Sequence, residues 1–181
     1  MWTQRILSRF AHIPDDTAIE NKYYGVYNAI LTDECFTESI FFVEPQYALP
    51  IAQTGGVGAI DFVVTFVVEV DDIPVLVLEI KPPTHLRHVS TEADSHIRST
   101  FFHLYNLCRT PKLYGVSTIG NRFSIYTMHI THDGSVMPEF IPSSSTHVTN
   151  TAPKSRWDLD ITTEEGYERF MAVVADVKLM V

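Results

Sequence analysis

The chain has 181 residues, 45% of them hydrophobic and 12% aromatic. That is enough to bury roughly two-thirds of the unfolded surface in one core and too apolar for a disordered segment. The net charge of −9 argues against a protein that coats nucleic acid by bulk electrostatics, because neutralising phosphates requires clustered Lys and Arg. With no repeat, low-complexity tract or linker-length hinge, residues 1–181 read as one domain.

Residues 17–33 place Ile19, Tyr23, Val26 and Ile30 at i, i+4, i+7 and i+11, the spacing of an amphipathic helix. A short apolar run follows over residues 39–43, then a loop with Pro45, Pro50 and Gly55, Gly56 and Gly58. Residues 59–70 and 74–81 are β-branched and apolar and are joined at Asp71 and Asp72. They predict a hairpin of central strands, ended by Pro82 and Pro83. Residues 92–108 carry Ile97, Phe101, Leu104 and Cys108 at helical spacing. Next comes a second hairpin around Gly120 and Asn121, then a Ser/Thr-rich loop over residues 142–155. Residues 163–180 close the chain with a helix bearing Tyr167, Phe170, Val174 and Val177 on one face. The expected class is α/β, a central mixed sheet flanked by helices in the order αβββαββ plus a C-terminal helix.

Cys35 and Cys108 lie in helix-like segments and imply no disulfide framework. The first residues lack a long apolar run with a cleavage site, and no stretch of about 18 residues is uncharged. The expectation is a protein without a membrane span, in the cytoplasm or nucleus. Lys81, Arg87, Arg98, Arg109 and Lys112 fall in one stretch that contains only Glu92 and Asp94 as acids, so a local basic face is compatible with the overall acidity.

The chemistry is concentrated where charges interrupt apolar strands. A carboxylate or an ammonium inside a buried strand costs several kcal/mol unless it is compensated. Glu79 and Lys81 stand two apart, on one face of their strand, with Ile80 pointing the other way. Asp61, on the preceding strand, comes within about three residues of Glu79 along an antiparallel ladder. Two carboxylates and a backbone carbonyl suit Mg²⁺ or Mn²⁺, which take oxygen ligands and keep several waters. Asp61, Glu79 and the Ile80 carbonyl are the candidate metal ligands, and Lys81 is the candidate for orienting water or a phosphate oxygen.

A helix, Asp61 on one strand, Glu79 and Lys81 on the next, then a helix and another strand: this arrangement resembles the PD-(D/E)XK, or restriction-endonuclease-like, nuclease superfamily over residues 17–128. Ile60 stands where a proline often precedes the Asp, and this removes no ligand. The segments PKLYGVSTIGNRFSIYTM and APKSRWDLDI are similar to a set of fungal proteins with no assigned activity. The resemblance implies hydrolysis of phosphodiesters in DNA or RNA, and many such nucleases cut as homodimers. It also admits inactive members that serve as nucleic-acid or protein-binding scaffolds. In the superfamily a first-helix carboxylate often approaches the metal, a role open to Glu20; residues 17–20 also read as a capping box between Thr17 and Glu20. His96 and Arg98 occupy a stretch of the second helix where the superfamily often places a polar residue facing the site or the phosphate backbone. His85 and His88 have a zinc-like gap without matching partners and read as loop. Trp157 reads as a packing anchor.

Overall fold

Alternating side chains along β-branched strands produce a sheet with two covered faces. The computed structural model describes residues 1–46, 64–83, 86–131, 134–144, 146 and 149–181. Helices α1 (Gln4–Ala11) and α2 (Asn21–Ala29) come first, and α2 runs on into a π-helical segment, Ile30–Cys35. Strands β1 (Phe42–Pro45), β2 (Val64–Val70) and β3 (Ile73–Lys81) follow, then helix α3 (Leu86–Leu104). The second half comprises β4 (Lys112–Ile119), β5 (Arg122–His129), β6 (Val136–Met137), a 3₁₀ turn Lys154–Trp157, β7 (Leu159–Asp160) and α4 (Glu164–Met180).

The sheet is open, mixed and seven-stranded, in the order β1-β2-β3-β4-β5-β6, with β7 also on β5. Its first two central strands form the expected hairpin. Val70 pairs with Ile73 across Asp71 and Asp72, whose φ angles of 51° and 63° are those of a two-residue primed turn. The second hairpin pairs Ile119 with Arg122 around Gly120, at φ +64°, in the first central position. The two hairpins join through the parallel β3–β4 pair, and such a pair needs a long crossover, here carrying α3.

The strand period of two sorts the core. Phe66, Val68, Leu76, Leu78, Ile80, Val116 and Phe123 face one layer built from α1, α2, the π-helical segment and α4. Val67, Val77, Leu113, Tyr126 and Met128 face the other, where α3 contributes Ala93, Ile97, Phe101 and Leu104. Gly115 of β4 belongs to this second layer, where an added Cβ would stand 2.7 Å from a Phe101 ring carbon. The closing helix α4 is capped by Thr163, whose hydroxyl accepts from the Gly166 amide at 3.1 Å.

Several boundaries differ from the sequence expectation. The first amphipathic helix is shorter than residues 17–33, beginning at Asn21. A helix unforeseen in the sequence, α1, precedes it and buries Ile6 and Phe10. α3 begins six residues earlier than expected and ends at Leu104, where Cys108 turns its thiol onto the Leu104 carbonyl. The expected strand segment 59–63 and the glycines 55, 56 and 58 lie outside the described residues, as do Asp61 and His85. Among the described residues, no helix is long and apolar enough to cross a membrane.

Candidate active site

Glu79 and Lys81 emerge from β3 on the face that α3 covers, because Val77, of the same parity, lies in the α3 layer while Leu78 and Ile80 lie in the other. Glu79 is 0% exposed. The Thr100 hydroxyl of α3 donates to its Oε1 at 2.7 Å, and its Oε2 has no hydrogen-bond partner among the described residues. Desolvation dominates and pushes the Glu79 carboxyl up to about 8. The Thr100 hydrogen bond and the Lys81 charge pull the other way without prevailing, and the Glu20 charge adds to the rise. Near neutral pH the group is therefore mostly protonated when nothing else neutralises it.

The Lys81 ammonium donates to Glu92 Oε1 at 3.0 Å. Its side chain is only 8% exposed, while that of Glu92 is 45% exposed, so this pair joins the buried interior to solvent. The hydrogen bond from Lys81 holds the Glu92 carboxyl below the usual range, and the charge of His96 adds to this. Glu92, His96 and Thr100 follow one another at four-residue steps, so successive turns of α3 present them along one stripe. Two of them bond to the β3 pair, and His96 stands between these two, half-buried. Glu92 and Thr100 were not singled out in the sequence. The signal that could have found Thr100 is a polar residue beside Ile97, Phe101 and Leu104 on the buried face of an amphipathic helix.

The polar row continues across the sheet. Glu79 is in register with Ser117 of β4, and Ser117 with Ser124 of β5; both serines are buried. Trp157 donates its indole N–H to the Ser117 hydroxyl at 3.3 Å and is itself buried, so it packs rather than offering a stacking surface. Ile80 pairs with Val64 on one side and Thr118 on the other. The Gly120 amide donates to the Lys81 carbonyl at 2.8 Å, and ladder alternation then turns the Ile80 carbonyl toward β2, leaving it one spare lone pair.

Glu20 sits at the start of α2 and receives the Tyr24 hydroxyl at 3.4 Å. The expected capping box is not formed. The Thr17 amide donates to the Pro14 carbonyl instead, and the Thr17 hydroxyl accepts from the Ile19 amide, because the helix starts too late for the reciprocal pair. Arg98 is held away from Glu79 and Lys81 by other partners. Its Nε donates to Asp94 Oδ2 at 2.9 Å and its Nη2 to the Pro138 carbonyl, while its guanidinium lies 5.5 Å from the Tyr126 ring centroid. Asp94 also accepts from Arg156 and from the Tyr126 hydroxyl, which makes a buried clamp between α3, β5 and the 3₁₀ turn.

Among the described residues no group of three or more His, Cys, Asp or Glu is arranged to hold a metal. The donors that fit a hard cation are the unbonded, buried Oε2 of Glu79 and the Ile80 carbonyl. Comparison with family models, curated proteins and solved structures returns no match. The chemistry of the site therefore rests on its own residues.

Proposed function

We propose that the chain catalyses metal-dependent hydrolysis of phosphodiesters in nucleic acid, through a PD-(D/E)XK-type site on a restriction-endonuclease-like core. The observation that carries this reading is Glu79, a wholly buried carboxyl with one oxygen unbonded among the described residues, two residues before a nearly buried lysine on a central strand. An interior carboxyl is costly without compensation, and a divalent cation supplies it. The order of helix, three strands, crossover helix and two strands agrees with the reading.

Glu79, the Ile80 carbonyl and Asp61 would hold Mg²⁺ or Mn²⁺, with Glu20 as a further carboxylate whose charge reaches Glu79. Bound there, the cation would supply Lewis acidity toward phosphate and water. Thr100 fixes the Glu79 carboxyl by bonding to Oε1, and Oε2 would be the oxygen offered to the cation. Lys81, tethered by Glu92, keeps an ammonium in a site largely closed to water, where it counters charge developing on a phosphate oxygen.

The test is a titration of Mg²⁺ and Mn²⁺ into wild type, Asp61→Ala, Glu79→Ala and Lys81→Ala, with cleavage assays on single- and double-stranded DNA and RNA. Wild type gains about 2.7 kcal/mol of stability at a hundredfold excess of free metal over Kd. Both carboxylate variants lose the gain and the cleavage, whereas Lys81→Ala keeps the gain and loses most cleavage. A wild type whose melting is indifferent to metal and which cuts no substrate overturns the proposal. That outcome favours an inactive scaffold that binds nucleic acid or protein, a reading supported by the Lys81–Glu92 pair and a protonated Glu79, which need no metal.

A further inference from the structure

A concave surface lies between α1 and α2. It is a cavity of about 510 Å³ lined by Arg5, Ser8 and Arg9 of α1, by His12 just past its end, and by Gly25 and Ala29 of α2, with Ile6 and Val26 as its apolar floor. Arg5, Ser8, Arg9 and His12 stand at i, i+3, i+4 and i+7, a polar stripe beside buried Ile6. None of the described lining residues is acidic, on a chain of net charge −9. Arg5 gives one guanidinium nitrogen to Asp33, while Arg9 has no ion pair among the described residues. The His12 Nδ1 is tied to the Ser8 carbonyl at 2.6 Å, which fixes the ring and leaves Nε2 for another partner.

Gly25 supplies an independent observation. It sits in the middle of α2, where glycine costs about 0.5–1 kcal/mol relative to alanine. No steric demand among the described residues accounts for it: a Cβ built there meets none of their atoms within 4 Å. The bare backbone at Gly25 thus borders open space beside two arginines, with room for a ligand to approach the helix there.

We propose that the α1–α2 groove binds a phosphate-bearing ligand of mononucleotide size. Guanidinium forks match phosphate oxygens in pairs, and a cavity of this volume falls in the range of small-ligand sites. The apolar floor takes the uncharged part of the ligand, and the bare backbone at Gly25 permits close contact. The site does not depend on the nuclease reading and stands or falls separately.

Calorimetric titration of inorganic pyrophosphate and of AMP into the full chain tests it, with Arg9→Gln, Gly25→Ala and, as a control of equal charge change on α4, Arg169→Gln. Wild type binds, and Arg9→Gln weakens binding about tenfold or more, the loss of one charge-assisted hydrogen bond. Gly25→Ala weakens it about threefold or more by filling the groove, yet melts at the same temperature or about 1–4 °C higher. Arg169→Gln leaves binding unchanged. Competition by a 5′-phosphorylated trinucleotide but not its 5′-hydroxyl counterpart assigns the phosphate to a strand end, and competition by AMP alone assigns it to a free ligand; either supports the site. No saturable binding, or equal binding by wild type, Arg9→Gln and Gly25→Ala, overturns it.

Discussion

Replacing Glu79 with glutamine isolates the energetics of one buried carboxyl. In the folded chain burial pushes this group up to about 8, from an ordinary value of 4.5. Between those values the folded state holds a proton that the unfolded state has released, so stability falls as pH rises. The protonated carboxyl's contribution is complete below the unfolded value and is lost as pH climbs through the folded one. Each pH unit inside the window is worth about 1.36 kcal/mol. The loss is therefore about 3 kcal/mol between pH 5 and 7, and on the order of 5 kcal/mol across the whole window. Glu79→Gln keeps an acceptor for Thr100 and places an uncharged donor where Oε2 stood, so its own offset does not vary with pH. Urea unfolding of both proteins at pH 5, 6, 7 and 8, without divalent cations, reads the difference. The expected result is a wild type that loses ground to Glu79→Gln steadily with rising pH, and a slope that flattens when millimolar Mg²⁺ is present. Profiles that stay parallel within about 0.5 kcal/mol would show that Glu79 is ionised throughout, and the argument from burial would be wrong.

Two further outcomes follow from packing. Asp94→Ala strips the shared acceptor from Arg98, Arg156 and Tyr126; leaving such charges unpaired costs about 3–5 kcal/mol in chemical denaturation, and a loss under about 1 kcal/mol would mean that water replaces the carboxylate. Gly166→Ala places a Cβ 1.8 Å from the Asp160 carbonyl oxygen, a backbone atom that cannot swing aside. Its unfolding free energy drops by about 3 kcal/mol, at the top of the usual overpacking range or beyond, and an unchanged denaturation midpoint would contradict the tight seat of α4.

What the sequence disclosed depended on how local the determining contacts are. The stretch from Pro74 to Lys81 reads as a central strand because nearly every position is apolar and the turn at Asp71 and Asp72 adjoins it. The pairing of Glu79 and Lys81 on one face then follows from the period of two. Helix α1 is eight residues long, too short to hold itself together. It is anchored by distant chain, as where Phe10 meets Tyr27 edge-on at 5.5 Å and the neighbouring Trp2 indole donates to the Ile161 carbonyl at 2.8 Å. Strands β6 and β7 have two residues each and so no period to read. The partners of the charged pair were hidden for a different reason. Glu92 and Thr100 reach Lys81 and Glu79 only after α3 has packed across the sheet, and helical spacing gives which residues share a stripe but not what that stripe covers. Arg98 shows the converse: its place on the second helix suggested a ligand contact, while its side chain turned to Asp94, one helical turn earlier.

The parallel β3–β4 seam sets an order of events. Each flanking hairpin closes through a two-residue turn and forms among near neighbours, whereas the seam waits for a crossover of 30 residues between Lys81 and Lys112. Contacts between residues far apart in sequence come slowly. Glu79 lies on one lip of the seam with Ser117 on the other and Thr100 above it, so the carboxyl is wetted until the halves meet and dry thereafter. Because closure makes its charge costly, the chain takes up a proton as it folds at neutral pH, and the rate at which a pH indicator loses acid during refolding times the closing of that seam.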